Sequence, residues 1–323
     1  MPKASFGDYV AMARPDHWVK HVFILPGIVL ASILYPTDLK NLLGAVLVGF
    51  SSAAALASAN YVLNEWLDAG SDRFHPTKSR RPAAAKAVAG GWVAVEYLLL
   101  AGLGLALSWW ISGFFFFTAV LFLLSGIVYN VSPVRTKDRV YLDVVSEAIN
   151  NPLRLTLGWA MVSADSLPPS SLLLGYWMGG AFLMGVKRLA EYRAVKKSGG
   201  LEALHRYRRS FRFYTEHSLL VSLFLYAQMS AFFLGVFLIK YRVEYLLSLP
   251  LIAVWFAVYL RVGLKPGSTA QTPEKLFREK ALVLSSVALV IALALLTWVE
   301  IPALDRLSEP HFLRLSTQQP EQK

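Results

Sequence analysis

The sequence contains no cysteine, so disulfides, thiolate metal sites and cysteine nucleophiles are excluded. Charge is also scarce, because Asp, Glu, Lys and Arg make up 16% of the 323 residues, against roughly 25% in an average soluble domain. Acidic residues are the scarcer class, with 21 Asp and Glu against 32 Lys and Arg. The composition therefore indicates a membrane protein rather than a soluble globular domain.

Hydrophobic residues make up 55% of the chain and come in blocks of about 20, long enough to cross a bilayer as helices. The pattern predicts an all-α, polytopic membrane helix bundle, with residues 1–323 forming a single integral membrane domain. The first span is the weakest because it contains Pro26 and Gly27, and we expect it to be retained because the N-terminus lacks a signal-peptide pattern. The nine predicted transmembrane helices cover residues 21–36, 41–64, 85–108, 111–130, 142–163, 170–187, 216–240, 244–262 and 280–299.

The net charge of +11 would suit a nucleic-acid-binding protein, but the positive charges are sorted by loop. Of the 32 Lys and Arg residues, 25 lie in the N-terminal tail or in connections that follow even-numbered spans. The positive-inside rule then predicts a multi-pass protein of the inner (cytoplasmic) membrane, with the N-terminus in the cytoplasm and the C-terminus outside. We therefore expect a membrane partner and no nucleic-acid partner.

The loops on the opposite side are short, so we expect the chemistry in a cavity between helices that opens to the cytoplasm. The longest cytoplasmic connection, residues 187–212, contains Ser198-Gly199-Gly200 and is expected to form a cap. A polar tail follows at residues 304–323. Four arginines of the long connection are interpreted as topology charges or contacts to anionic lipid: Arg206, Arg208, Arg209 and Arg212.

Residues 64–82 carry the most informative pattern of the chain. Asn64, Asp68 and Asp72 are four residues apart, and Glu65 forms a three-and-four spacing with the two aspartates, so each series falls on one helix face. Carboxylates at the end of a membrane span are costly and usually functional. A basic, proline-broken segment follows directly, with Arg73, His75, Lys78, Arg80 and Arg81. Carboxylates beside such cations indicate a metal-bridged phosphate site.

A second polar face enters the membrane at the start of the fifth span. Asp143, Glu147, Asn150 and Arg154 have a 4-3-4 spacing and share a helix face, and Tyr129 and Lys137 precede them. Two facing acidic stripes suit a diphosphate with Mg²⁺, which binds through a few carboxylates plus substrate phosphates. An arginine inside a span needs a partner, so Arg154 either binds substrate or pairs with Glu147.

These motifs resemble the UbiA superfamily of intramembrane prenyltransferases. The first motif reads Asn64-Glu65-x-x-Asp68-x-x-x-Asp72, with Glu65 where Asp is usual in the superfamily. Several other stretches are similar to one branch, the polyprenyl-phosphate (decaprenyl-phosphate) phosphoribosyltransferases of cell-envelope biosynthesis. They are Arg14-Pro15-x-x-Trp18-Val19-Lys20, His75-Pro76-Thr77-Lys78-x-x-Arg81, the ordered set Lys137, Asp143 and Arg154, Lys187-Arg188-x-x-Glu191, and Tyr214-Thr215-Glu216.

The resemblance implies a Mg²⁺-dependent transferase that moves the 5-phosphoribosyl group of phosphoribosyl pyrophosphate to a polyprenyl phosphate in the membrane. It implies catalytic roles for Asn64, Asp68 and Asp72 and a metal site made by Asn64, Glu65, Asp68 and Asp72. The residues that it implies for substrate binding are Lys20, Arg73, His75, Lys78, Arg81, Tyr129, Lys137, Asp143, Arg154, Lys187, Arg188 and Glu191.

Two other functions compete with this one. A prenyltransferase that moves a prenyl group from an allylic diphosphate to an aromatic or other small acceptor would need the same first motif, but fewer cations after it. A transporter or lipid flippase would need ionisable groups near the middle of the membrane and access from both sides, whereas the charges here cluster at one side. The sequence leaves the oligomeric state open and is compatible with a homo-oligomer.

Overall fold

A computed structural model describes residues 2–35 and 38–304 of the chain, apart from the side chains of residues 273 and 274. The described residues form helices and no sheet strand, which confirms the all-α prediction. In chain order, the α-helices are α1 (Phe6–Met12), α2 (Leu25–Leu34), α3 (Leu39–Asp72), α4 (Pro82–Ala85), α5 (Gly90–Trp109), α6 (Gly113–Asn130), α7 (Leu142–Ala148), α8 (Asn150–Ala160), α9 (Ser170–Tyr207), α10 (Glu216–Tyr241), α11 (Leu249–Leu264) and α12 (Lys280–Trp298). The predicted polar tail, except Leu304, and the predicted position of the C-terminus lie outside the described residues.

Seven helical segments of the described chain are long and apolar enough to cross a membrane, so the predicted count of nine is not confirmed. The two missing spans are the fifth and the sixth. The fifth is divided at Ile149 into α7 and α8 and carries three charged side chains, while the apolar part of α9 ends at Lys187. The seven segments are Phe6–Leu34, Leu39–Asp72, Gly90–Trp109, Gly113–Asn130, Glu216–Tyr241, Val243–Leu264 and Lys280–Trp298.

Helix α3 is a single helix of 34 residues that carries the first motif at its C-terminal end. Its middle, residues 53–59, is rich in alanine, and these small side chains let α5 and α6 pack closely against it. The Ser52 hydroxyl donates a hydrogen bond to the Gly104 carbonyl at 2.7 Å, and the Asn60 amide donates to the Phe122 carbonyl at 3.1 Å. The close packing fixes α3 against two neighbours and thereby fixes the position of the motif.

Helix α9 changes direction at Gly200, as the expected cap requires. Gly200 has φ +70° and ψ −166°, a conformation that side chains with a Cβ rarely adopt. Beyond this turn, Leu204, Tyr207 and Phe211 pack into the core between α9 and α10. Residues 206–209 are thereby placed over the end of the bundle where α3 finishes.

The outer surface of the bundle is apolar. Leu47, Leu99 and Leu284 are exposed over most of their side-chain area, and Trp110 and Trp298 are exposed even more fully. A soluble protein rarely presents so much contiguous apolar surface to water. The exposed apolar helices therefore fit a bundle surrounded by lipid.

Candidate active site

A polar cavity of about 510 Å³ lies at the end of the bundle where α3 finishes. It is lined by Arg14, Asn64, Leu67, Asp68, Gly70, Ser71, Asp72, Lys78, Arg81, Tyr129, Ser132, Arg135, Lys137, Asp138, Glu147, Lys187, Arg206, Tyr207, Arg208 and Arg209. Eight predicted site residues are in this lining: Asn64, Asp68, Asp72, Lys78, Arg81, Tyr129, Lys137 and Lys187. Glu147 of the second polar face is also in the lining, so both predicted faces contribute to one cavity.

The two aspartates of the first motif, which we call the carboxylate pair, lie one helical turn apart and each contacts cations from elsewhere in the chain. Asp68 Oδ1 lies 2.5 Å from the Lys137 ammonium and 3.1 Å from an Arg135 guanidinium nitrogen. Asp72 Oδ2 accepts a hydrogen bond from Arg81 at 2.5 Å. Burial lowers the pKa of Lys137 to about 8, against the opposing effect of the Asp68 carboxylate. The two carboxylates and their three cations all line the cavity. An anion bound in the cavity could therefore replace a carboxylate as the partner of a cation.

Asn64 and Glu65 behave differently although they are adjacent. Asn64 lines the cavity, and its Oδ1 is buried without a hydrogen-bond partner. Glu65 is not part of the lining, and its carboxylate accepts a hydrogen bond from Arg14 at 2.6 Å and one from the Ala83 amide at 3.4 Å. The structure thus places Asn64, but not Glu65, beside the carboxylate pair.

The donor set fits Mg²⁺ when the substrate supplies part of its coordination. Among the described residues, no three His, Asp or Glu side chains are close enough to hold a metal by themselves. Mg²⁺ keeps several waters and binds through one or two carboxylates plus substrate phosphates. Asp68, Asp72 and the unpartnered Asn64 Oδ1 are three oxygen donors of this kind facing one cavity.

His75 organises the turn after α3 rather than lining the cavity. Its Nδ1 accepts hydrogen bonds from the backbone amides of Thr77 and Lys78, each at 3.2 Å, so Nδ1 carries no proton. Burial lowers the pKa of the imidazole to about 4, and the ring packs on Tyr207 with 4.8 Å between centroids. The turn directs Lys78 into the cavity, where its ammonium bonds to the Tyr207 hydroxyl.

A second set of buried charges surrounds Arg188, and we call Arg188, Asp143, Glu147 and Glu191 the Arg188 cluster. The guanidinium lies 3.2 Å from Asp143, 2.9 Å from Glu147 and 2.5 Å from Glu191. Asp143 also accepts hydrogen bonds from the hydroxyls of Ser210 and Tyr214, at 3.0 Å and 2.7 Å. Of the cluster, only Glu147 lines the cavity.

Each carboxylate of the Arg188 cluster also contacts one cation of the cavity lining. The three pairs are Lys78–Glu191 at 2.6 Å, Lys187–Glu147 at 3.2 Å and Arg208–Asp143 at 3.6 Å. Arg188 thus orients three carboxylates that in turn orient three cavity cations. The predicted residues Asp143, Arg188 and Glu191 therefore support the cavity from behind.

Three predicted substrate-binding residues lie away from the polar cavity. Arg73 donates a hydrogen bond to the Ala84 carbonyl at 3.3 Å. Lys20 lies 3.3 Å from His17 Nδ1, and the Arg154 guanidinium lies over the Phe122 ring at 5.0 Å. The alternative pairing of Arg154 with Glu147 is wrong, because Glu147 contacts Lys187 and Arg188 instead.

Five arginines of the cavity lining are absent from the predicted site: Arg14, Arg135, Arg206, Arg208 and Arg209. The sequence predicts a topology or lipid-contact role for Arg208, but its guanidinium lines the cavity and donates to the Lys137 carbonyl at 3.3 Å. Arg135 contacts Asp68, and its position two residues before Lys137 was the available signal. No local signal separated Arg208 from its exposed neighbours, since the turn at Gly200 alone brings it back over the cavity.

Residues 21–278 of the chain match the model of the UbiA prenyltransferase family. A decaprenyl-phosphate phosphoribosyltransferase of Mycolicibacterium smegmatis is 28% identical over 218 residues, which are 66% of this chain and 64% of that relative. The nodulation protein NoeC of Azorhizobium caulinodans is 29% identical over 199 residues, or 61% of each chain. The chain thus covers somewhat less than two thirds of the length of these relatives.

A solved structure of a UbiA homolog from Archaeoglobus fulgidus, bound to DMAPP and Mg²⁺, has the same fold. The TM-score is 0.66 over 90% of this chain and 100% of that chain, at 19% identity. The resemblance stated from the motifs is confirmed, and the apolar helices belong to an integral, multi-pass membrane protein. Because the family model covers well over half of the sequence, the chain belongs to the UbiA prenyltransferase family.

Proposed function

We propose that the protein transfers the 5-phosphoribosyl group of phosphoribosyl pyrophosphate to a polyprenyl phosphate, with Mg²⁺ as cofactor. The observation that carries this proposal is the charge of the cavity. Its lining holds nine Lys and Arg side chains against four Asp and Glu side chains, an excess of five positive charges, and three of the nine cations are paired with Glu65, Asp143 and Glu191 behind the lining. A sugar that carries both a phosphate and a pyrophosphate needs such an excess, whereas an allylic diphosphate carries fewer charges. The curated relative from M. smegmatis, named for this reaction, supports the same choice.

In the proposed reaction, a phosphate oxygen of the polyprenyl phosphate attacks the anomeric carbon of the ribose. A carbon–oxygen bond forms there, and the bond to pyrophosphate breaks with its electron pair leaving on pyrophosphate. No general base is needed because the attacking oxygen is already anionic. Mg²⁺, held by Asn64, Asp68 and Asp72, would neutralise charge on the pyrophosphate.

The cavity cations divide the remaining work. Lys78 and Arg81, on the turn after α3, are placed to bind the phosphates nearest the carboxylate pair. Lys187 and Arg208, held by the Arg188 cluster, face the same cavity from α9 and the segment after it. Prepositioned donors stabilise charge that develops on a leaving group without reorganising during the reaction.

Prenyl transfer from an allylic diphosphate to a small acceptor is the second candidate. It needs the same carboxylate pair, and the DMAPP and Mg²⁺ in the archaeal homolog favour it. The two candidates differ in whether the other Lys and Arg side chains of the cavity are needed to bind a phosphorylated sugar.

The proposal includes the orientation of the chain in the inner membrane. The cavity would open to the cytoplasm, where a soluble phosphorylated sugar is available, and the N-terminus would lie on the same side. The distribution of Lys and Arg along the sequence supports this orientation.

The test uses purified protein with Mg²⁺ in two parallel assays. One contains labelled phosphoribosyl pyrophosphate and a polyprenyl phosphate, and the other contains a labelled allylic diphosphate and an aromatic acceptor. We expect label in lipid in the first assay, lost on chelation of Mg²⁺ and restored by its return. Product in the second assay alone would overturn the proposed function.

A further inference from the structure

We propose that Lys20, His21 and Arg154 bind the phosphate of the lipid acceptor, and that its chain lies in an apolar groove between the 3₁₀ segment Pro15–Ile24, α2, α3 and α5. This inference rests on the proposed function for the identity of the lipid. It places the acceptor at a site separate from the carboxylate pair.

Arg154 is a buried cation whose charge has no counter-ion. It lies in α8, and its Nε is buried without a hydrogen-bond partner. Its neighbours are the Phe122 ring at 5.0 Å and the Tyr61 hydroxyl, with which it shares a hydrogen bond. In the described part of the chain no carboxylate lies within ion-pair distance of Arg154. An unpaired charge at such a position is expensive, and a bound anion would offset its cost.

Lys20 adds a second cation next to the same tyrosine. Its ammonium lies 5.2 Å from the centroid of the Tyr61 ring and 3.3 Å from His17 Nδ1. The guanidinium of Arg14, a residue of the polar cavity, lies 5.8 Å from the centroid of the same ring. Tyr61 therefore links Lys20 and Arg154 to the cavity in which the sugar would be held.

His21 supplies the link between these cations and the groove. Both of its ring nitrogens are buried without a hydrogen-bond partner, and the ring packs edge-on against Phe50. A buried polar group is normally paired, so an imidazole with two free nitrogens indicates a ligand that bonds to it. His21 directly follows Lys20 in the 3₁₀ segment, and it also lines the groove.

The groove has a volume of about 630 Å³ and walls that are mainly apolar. It is lined by Trp18, His21, Val22, Leu25, Phe50, Ser51, Ala54, Ala55, Ser58, Leu100 and Leu103. Apart from His21, these side chains bear no ionisable group, so the groove suits a hydrocarbon chain and not a soluble sugar phosphate. A phosphate monoester on a long apolar chain would satisfy both the polar groups of Lys20, His21 and Arg154 and the apolar groove.

The test measures lipid binding without any donor, using full-length protein in phosphatidylcholine nanodiscs and native mass spectrometry. The probes are a long-chain polyprenyl phosphate, phosphatidic acid and inorganic phosphate. We expect Lys20→Gln and Arg154→Gln to weaken polyprenyl phosphate binding at least about tenfold. Lys40→Gln, the same change at an exposed lysine at the start of α3, should leave it unchanged. Arg154→Lys keeps the positive charge, and its affinity for polyprenyl phosphate should fall between those of wild type and Arg154→Gln. If Arg154→Gln does not fold, Arg154→Lys tests the position instead.

The groove has its own matched pair of variants on α3. Ser51→Trp fills it from an exposed lining position, whereas Gly44→Trp adds the same side chain at an open position two turns away. We expect only Ser51→Trp to weaken binding of the long-chain lipid. Equal binding of phosphatidic acid would overturn the assignment to polyprenyl phosphate, and binding of inorganic phosphate as tight as that of the lipid would overturn the role of the groove.

Kinetics separate this inference from the proposed function. If transfer occurs, Lys20→Gln and Arg154→Gln should raise the KM for polyprenyl phosphate and leave the KM for phosphoribosyl pyrophosphate unchanged. Transfer with an unchanged acceptor KM in both variants would overturn the lipid site alone. Lipid binding that depends on Lys20 and Arg154 without any phosphoribosyl transfer would support the lipid site and overturn the proposed function.

Discussion

The carboxylate pair and the Arg188 cluster use the same residue types at the same end of the bundle, yet they differ in access. Arg188, Asp143 and Glu191 line no part of the polar cavity, whereas Asp68, Asp72 and their cation partners all line it. Hydroxyl groups complete the bonding of Asp143, while Asn64 beside the pair keeps an unpartnered oxygen. The Arg188 cluster, apart from Glu147, is closed, and the carboxylate pair faces the cavity.

This difference indicates two uses of buried charge. In the carboxylate pair, each ion pair joins two groups that both line the cavity, so a bound metal and phosphate can replace the partner of each. In the Arg188 cluster, the central cation has no access to a ligand, and removing it would leave three carboxylates together. We therefore expect substitutions in the cluster to act on stability and those in the pair to act on turnover.

The largest expected effect is that of Arg188→Met. Removing one partner of a buried ionic set costs roughly 3–5 kcal/mol. Here the change would leave three carboxylates close together with only one cation each, Lys78, Lys187 or Arg208. The free energy of unfolding, measured by denaturant titration in detergent micelles, should fall by about that amount. The matched control is Arg193→Met on the same helix, where the ion pair with Glu216 is exposed and is worth about 0–1 kcal/mol. Equal losses in the two variants would contradict the comparison.

The next effect is on catalysis, through Asp68→Asn and Asp72→Asn. Each change keeps the shape and removes the charge that would hold Mg²⁺, and loss of one transition-state contact costs about 10²–10³ in kcat. We expect a turnover loss of that size in both variants and a smaller loss of stability than in Arg188→Met. Asp165→Asn, at an exposed position in the loop before α9, is the control. Activity within a factor of about two of wild type would remove the carboxylate pair from the site.

A smaller effect separates two arginines that the sequence could not distinguish. Arg208 is held between Asp143 and the Lys137 carbonyl, while the Arg206 side chain is 59% exposed at the mouth of the cavity. Arg208→Gln should raise the KM for the phosphorylated sugar about tenfold or more, whereas Arg206→Gln should change it less than about threefold. Steady-state kinetics at saturating lipid provides both values, and the reverse order would reject the assignment of Arg208 to the site.

The sequence predicted the first motif because its geometry is local. Asn64, Asp68 and Asp72 recur every four residues, and a continuous α3 necessarily puts them on one face. The cap was predictable for the same kind of reason, since Gly199-Gly200 interrupts a long polar connection. The predicted count of nine spans is not confirmed at the fifth and sixth spans, where charged residues shorten the apolar runs.

Partnerships between distant residues could not be predicted. Glu65 contacts Arg14, 51 residues away, and Lys78 contacts Glu191, 113 residues away. Spacing within a helix carries no information on which helix will face it. The sequence therefore groups Glu65 with the metal ligands and Arg208 with the topology charges. The packing of α3 against α1 and α4 decides the case of Glu65, and the turn at Gly200 decides that of Arg208.

The smallest expected effect concerns His75, which belongs to neither set but positions Lys78 between them. The folded-state pKa of His75 is lowered from 6.5 to about 4, so the folded protein favours the neutral ring. Its contribution to stability is therefore complete above about pH 6.5 and is lost as the pH falls toward 4, where the unfolded chain binds the extra proton. His75→Asn keeps an acceptor for the amides of Thr77 and Lys78 without a titrating group. We expect equal unfolding free energies within about 1 kcal/mol at pH 7.5 and a steeper loss for wild type between pH 6.5 and 4. Parallel curves for the two proteins would show that the imidazole is not held neutral by this turn.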